Sequence, residues 1–325
     1  MSSVKVHPIV KSTALIGEGP VWEESEQTLL FVDIIGQKIH RWSPATNRIQ
    51  SVETADTVGF AVPRRSGGYV AGVGRNIVAV DWQTHKVTSL VEVDEDKPNN
   101  RLNDGKADPS GRLLTGTMLK DYPSGERKQG ALFSVAPDLT VTKHLSQVDI
   151  SNGMDWSEDQ KTFFYIDSLA LTVDAFDHDP STGHIGNRRV VCHIQEGEGI
   201  PDGMTLDAEG RLWVACYDGG RVINIDPATG VRLKTISLPV TKTTSCCFGG
   251  PDYSELYVTS ASLGLNQSES KQQPLAGSTF RQRGRNCSYG ERFWCEWTGA
   301  SCLRGAGQTD CVQGEKGQLR SELHA

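Results

Sequence analysis

Short runs of alternating apolar and polar residues fill most of this chain, and they come in pairs joined by acidic or small-residue turns. Val21-Trp22 leads through Glu23-Glu24-Ser25-Glu26 to Leu30-Phe31, Val62 through Pro63–Gly68 to Tyr69-Val70, and Asp108-Pro109-Ser110-Gly111-Arg112 to Leu113-Leu114. The second half repeats the phrase. Trp156-Ser157-Glu158-Asp159-Gln160-Lys161 precedes Phe164-Tyr165, Asp207-Ala208-Glu209-Gly210-Arg211 precedes Leu212-Trp213, and Gly250-Pro251-Asp252-Tyr253-Ser254-Glu255 precedes Leu256-Tyr257. Each phrase reads as a β-hairpin, because turn formers separate two runs with the period-two pattern of a strand.

The paired hydrophobes recur about every 40 to 50 residues, a length that holds a four-stranded blade and exceeds leucine-rich or ankyrin units. Two stacked sandwiches would show no common period. The pattern therefore predicts an all-β fold, a six-bladed β-propeller forming one domain over residues 1–280. From 281 to 325 no alternating stretch remains, so this part is expected to be a divergent, disordered tail, with the last blade at risk of being incomplete. Closing the ring requires the amino-terminal strand near Val4–Val10 to pair beside the last one.

Net charge is −7, with 37% hydrophobic and 22% charged residues, and the aromatic residues do not alternate with Lys and Arg. No basic field is available for nucleic acid. The first residues lack the basic start and apolar core of a signal peptide, and no apolar run approaches the roughly 18 residues of a membrane span. A cytoplasmic protein is expected, without nucleic-acid or membrane partners; the sequence names no protein partner. Cys192, Cys216, Cys246 and Cys247 lie in strand-like contexts and read as buried thiols. Cys287, Cys295, Cys302 and Cys311 match no zinc spacing.

In a propeller the innermost strands run in one direction, and the residues at their starts ring one mouth of the central channel. Segments around Glu18-Gly19, Asn103-Asp104-Gly105, Asn152-Gly153 and Asp202-Gly203 place a carboxylate or amide beside glycine at these points. Taken singly, each such pair is a common turn former. Together, Glu18, Asn152 and Asp202 offer mixed oxygen ligands suited to calcium, magnesium or manganese, and a cation would offset the repulsion between the two carboxylates. Arg101 and Asn103 supply a fork of donors and an amide for a polar substrate, although Arg101 could equally be a surface charge near Asp104. The polar insertion Lys120–Lys128, containing Asp121, reads as a lid over the mouth or as a long loop.

These segments, Gly17-Glu18-Gly19-Pro20-Val21-Trp22, Asn100–Lys106, Asp149–Trp156 and Ile200–Met204, resemble the motifs of the gluconolactonase family over residues 5–280. The resemblance implies hydrolysis of sugar lactones at one divalent metal, calcium, zinc, manganese or magnesium, held by Glu18, Asn152 and Asp202. It also implies Asp202 as general base, Arg101 and Asn103 as substrate-binding residues, and a cytosolic, sometimes nuclear, protein tied to ascorbate synthesis and calcium handling; Asp121 of the polar insertion is a further substrate-binding candidate. The residues suit such a reaction: a cation polarises the carbonyl and a carboxylate takes a proton from water. Neither Ser151 nor Ser245 stands in a Gly-x-Ser-x-Gly turn, and no histidine enters an inner strand. The alternative is a calcium-binding regulatory protein without essential catalysis; a catalytically dead scaffold is a third reading. The match stops after Phe280, inside an expected strand, which suggests an alternative carboxyl end.

Overall fold

Branched and aromatic residues at alternate positions favour the pleated backbone, and the chain answers with strands throughout the described part. The structure, a computed structural model, describes residues 5–123 and 125–283. The first strand, β1 (Val6–Val10), is carried to the far edge of the sixth blade. Blade one is β2 (Gly17–Glu23), β3 (Thr28–Asp33), β4 (Lys38–Ser43) and β5 (Arg48–Glu53); blade two is β6 (Val58–Pro63), β7 (Tyr69–Val73), β8 (Asn76–Asp81) and β9 (Lys86–Glu92). Blade three comprises β10 (Asn100–Ala107), β11 (Leu113–Leu119), β12 (Gly130–Val135) and β13 (Val141–Val148); blade four comprises β14 (Ser151–Trp156), β15 (Thr162–Asp167), β16 (Thr172–His178) and β17 (Ile185–His193). Blade five follows with β18 (Ile200–Leu206), β19 (Leu212–Tyr217), β20 (Arg221–Ile225) and β21 (Arg232–Ser237). In blade six, β22 (Thr243–Gly249), β23 (Glu255–Ser260) and β24 (Thr279–Arg283) are completed by β1. This is the expected six-bladed propeller.

The apolar core is divided into wedges between neighbouring blades. Leu30, Val32 and Ile39 of blade one pack with Ala61, Tyr69 and Val78 of blade two, and Phe164 and Ile166 of blade four pack with Met204, Leu212 and Val214 of blade five. Between blades six and one, the Trp22 and Tyr257 rings stack with centroids 5.4 Å apart. Inner strands are buried on both faces, whereas outer strands such as β5 and β21 expose most of their residues.

Closure occurs where the sequence requires it. β1 runs antiparallel to β24, with Val6 opposite Gln282 and Pro8 opposite Phe280, and β24 in turn pairs with β23. Pairing thus continues to Arg283, past position 280; the expected tail from 284 onward lies outside the described residues. A short helix, α1 (Gln267–Gln272), sits in the β23–β24 connection behind an Asn266–Glu269 capping box. Among the described residues no helix is long and apolar enough to cross a membrane.

Candidate functional site

All six innermost strands, β2, β6, β10, β14, β18 and β22, slip out of register with their second strands near the same end. The breaks fall between Glu18 and Val21, Val58 and Phe60, Leu102 and Gly105, Ser151 and Met154, Pro201 and Met204, and Thr243 and Cys246. Such bulges re-aim side chains. Asp104, Asn152, Asp202 and Ser245 lie within them, and Glu18 is the last paired residue before the bulge in β2. The polar-Gly pairs are therefore bulges inside strands, which replaces the reading of them as turns ahead of strands. The glycines have their own reason. A Cβ on Gly153 would stand 2.6 Å from Met204 Cβ, and one on Gly203 would stand 2.0 Å from Ser245 Oγ, so the neighbouring blade approaches too closely for any side chain.

The bulges bring Glu18, Asn152 and Asp202 together. The Glu18 and Asp202 carboxyls are close neighbours, with the Ser245 side chain beside Glu18 and Asn152 beside Asp202. The Gly19 N–H donates to Glu18 Oε2 at 2.7 Å. Asn152 Nδ2 donates to Ser168 Oγ at 2.8 Å, at the head of the 3-10 turn Ser168–Ala170 that joins β15 to β16. Its Oδ1 is buried and has no partner among the described residues. A buried acceptor without a donor is costly.

Charge is crowded here as well. Burial pushes Glu18 up to about 8, and the nearby Asp104 adds to the shift. Burial also holds Asp202 well above the usual carboxylate range, with Glu18 and Asp104 contributing, and raises Asp104 to about 6. Burial lowers the Arg101 guanidinium to about 10, against the fields of Glu18, Asp202 and Asp56. Among the described residues no three carboxylate, imidazole or thiol groups form a metal cluster by themselves. A cation would thus depend on the Asn152 carbonyl beside Glu18 and Asp202. The donor set fits one: the orphaned oxygen and the mutually repelling carboxylates both lack what a hard divalent ion supplies.

Arg101 is buried, which corrects the surface-charge reading. Its Nη1 donates to Leu102 O at 2.9 Å and to Asn103 Oδ1 at 2.7 Å, while Asn103 Nδ2 donates to Ser151 O at 2.8 Å. Asn103 is therefore a strut between blades three and four that holds Arg101, with one N–H and one oxygen lone pair still uncommitted. Asp121 is exposed on the β11–β12 connection, outside the buried cluster. That connection is tied down by Lys120 Nζ on Asp56 Oδ1 at 2.9 Å and by the Arg127 fork on Asp149 at 2.7 and 2.8 Å.

Sequence reasoning placed Asp104 and Ser245 near the mouth without giving them a role there, and missed Ser168. In the β10 bulge Asn103 stands where β14 has Asn152 and β18 has Asp202, and Asp104 stands where they have Gly153 and Gly203; nothing local marks Ser168. Cys216, Cys246 and Cys247 are buried as expected, but Cys192 is only half-buried, and all four are free thiols. The cysteines from 287 onward lie outside the described residues.

A family model described as the SMP-30/gluconolactonase/LRE-like region matches residues 16–262. Regucalcin of Xenopus laevis is 56% identical over 286 residues, covering 87% of this chain and 96% of that protein. Among solved structures, a luciferin-regenerating enzyme superposes with a TM-score of 0.85 at 35% identity, covering 91% of this chain and all of the other. A calcium-binding protein, regucalcin, from Agrobacterium tumefaciens superposes with a TM-score of 0.84 at 26% identity, covering 91% of this chain and 99% of that one.

Proposed function

Because the chain belongs to the SMP-30/gluconolactonase/LRE-like family, we propose that it is a hydrolase of sugar lactones that works with one divalent cation held by Glu18, Asn152 and Asp202. The observation that carries this reading is the buried, unpartnered Asn152 Oδ1 beside two carboxyls raised by burial. A bound divalent cation supplies positive charge against the lactone carbonyl oxygen. The protein's own groups do the rest. Asp202, ionised when the site is charge-compensated, accepts a proton from the attacking water. Arg101, fixed by Asn103, presents its remaining N–H groups to substrate hydroxyls. Ser245 and the Gly19 N–H hold Glu18 in place, and Ser168 orients the Asn152 amide so that its oxygen faces the site.

The name of the Agrobacterium relative favours a second reading, a calcium-binding regulator acting in the cytosol or nucleus. One assay separates the two. Purified protein is expected to open δ-gluconolactone with calcium, manganese, magnesium or zinc, to lose activity with a chelator, and to lose at least about a hundredfold in kcat on Asp202→Asn. Calcium binding without hydrolysis would favour the regulator, and an Asp202→Asn variant of full activity would remove Asp202 from the chemistry.

A further inference from the structure

Tyr217, the last residue of β19, and Lys242, the residue before β22, meet at the rim between blades five and six, apart from the carboxylate cluster. Lys242 Nζ donates to the Tyr217 hydroxyl oxygen at 3.1 Å and to Asp218 Oδ1 at 3.0 Å, and lies 4.5 Å from the centre of the Tyr217 ring. Tyr217 pairs across the sheet with Ile200 and Cys216 with Pro201, which places the phenol beside the start of the strand that carries Asp202. Lys242 stands three residues before Ser245, which contacts Glu18. The Tyr217 end of β19 is thus at the same end of the blade as the Asp202 bulge, near enough for the Asp202 carboxyl to act on the phenol.

The hydrogen bonding has a direction. An ammonium is a donor only, so the Tyr217 oxygen is the acceptor, and among the described residues no oxygen takes the phenolic proton in return. Tyr217 is half-buried and Lys242 is mostly covered, with 13% of its side chain exposed. Burial above all, with Asp218 and Asp202 adding, raises the phenol, while Lys242 opposes the shift. The hydroxyl therefore keeps its proton at neutral pH and has it available.

Lactone hydrolysis needs such a proton. The chemistry assigned to Asp202 accounts for the attacking water, but the ring oxygen leaves as an alkoxide, a poor leaving group unless protonated as the bond breaks. We propose that Tyr217 is the general acid that protonates the departing ring oxygen, and that Lys242 is the positioning residue that holds its hydroxyl; this rests on the hydrolase reading. The water oxygen bonds to the carbonyl carbon while its proton passes to Asp202. Collapse of the tetrahedral adduct re-forms the C=O bond, and the C–O ring bond breaks with its electron pair on the ring oxygen. That oxygen takes the Tyr217 proton. The proton on Asp202 then returns to the tyrosinate through solvent, so lactone and water leave as one hydroxy acid.

The test compares leaving groups in the full chain with manganese or calcium present. Tyr217→Phe and Lys242→Met are each assayed on δ-gluconolactone, whose alkoxide needs a proton, and on 4-nitrophenyl acetate, whose phenolate does not. Tyr217→Phe is expected to lower kcat on the lactone about a hundredfold, with KM and kcat on the aryl ester within about threefold and the calcium affinity by calorimetry unchanged. Lys242→Met is expected to give a smaller loss with the same selectivity for the lactone. Equal losses on both substrates, or lost calcium binding, would mark the pair as a structural tie between blades and overturn the assignment; so would a Tyr217→Phe enzyme of unchanged lactone kcat. A wild-type chain that binds calcium but opens no lactone overturns the hydrolase reading and the assignment with it.

Discussion

Glu18 shows how a single residue sets the conditions under which the site works. Its carboxyl rises from 4.5 to about 8, first through burial and then through the proximity of Asp104. A group whose folded value is raised contributes stability below its unfolded value and loses it as the pH climbs toward the folded one. Metal-free protein should therefore lose stability between about pH 5 and 8, and a divalent cation, which favours the ionised carboxyl, should restore it. The gain in Tm on adding calcium is expected to be larger at pH 8 than at pH 6 and to vanish in Glu18→Gln, as read by thermal scanning with and without chelator. A gain independent of pH would show that Glu18 is not among the groups the ion meets. The residues expected to hold the ion were legible because a polar-Gly pair recurs near the start of the inner strands through the chain. Asp104 was seen in the same pattern but assigned no role, because Arg101 and Asn103 beside it suggested a different task. The polarity of Asn103 was legible, but its engagement was not, since Ser151 O, which occupies its amide, belongs to another blade.

Among the elements, the six inner strands carry both the fold and the site, and the same bulge serves both. The repeat period announced the blades, because hairpins of fixed length leave a fixed interval in the sequence. The bulge was not legible: a register slip depends on how closely the adjacent blade approaches, and that distance is set by residues far away in sequence. Gly203 is the sharpest case. A methyl there would stand 2.4 Å from Ser245 Cβ and 2.8 Å from Ser245 Cα. Gly203→Ala is expected to destabilise the protein by about 1–3 kcal/mol through overpacking, lowering Tm by several degrees, and to weaken cation binding because β18 and β22 must move apart. Ser245→Gly in the same chain should recover part of the loss. A Gly203→Ala protein with native Tm would mean that the blades are not held at this spacing.

In the whole molecule, the ring is sealed where the first and last strands of the described residues meet in one sheet. β1 covers β24, the Thr13 and Ala14 N–H groups reach Gly277 O at 3.2 and 3.1 Å, and Thr244 Oγ1 donates to Gly17 O at 2.6 Å across the seam between blades six and one. Removing residues 1–11 should leave β24 with an unpaired edge. The truncated protein is expected to aggregate or to melt at least several degrees lower, judged by size-exclusion chromatography and thermal scanning. Native behaviour after truncation would mean that β24 closes the sheet unaided. The sequence disclosed this closure through the apolar run at Val4–Val10, which has no other blade to join.

The seam lies beside Glu18, the one proposed ligand from the first blade, while Asn152 and Asp202 stand in the fourth and fifth. On the hydrolase reading, an ion gripped by all three ties the first blade to the fourth and fifth beside that seam, like a clasp on a bracelet. Occupancy and circular integrity then become reciprocal quantities: whatever loosens the joint must raise the dissociation constant, and a filled clasp must make opening of the ring less favourable.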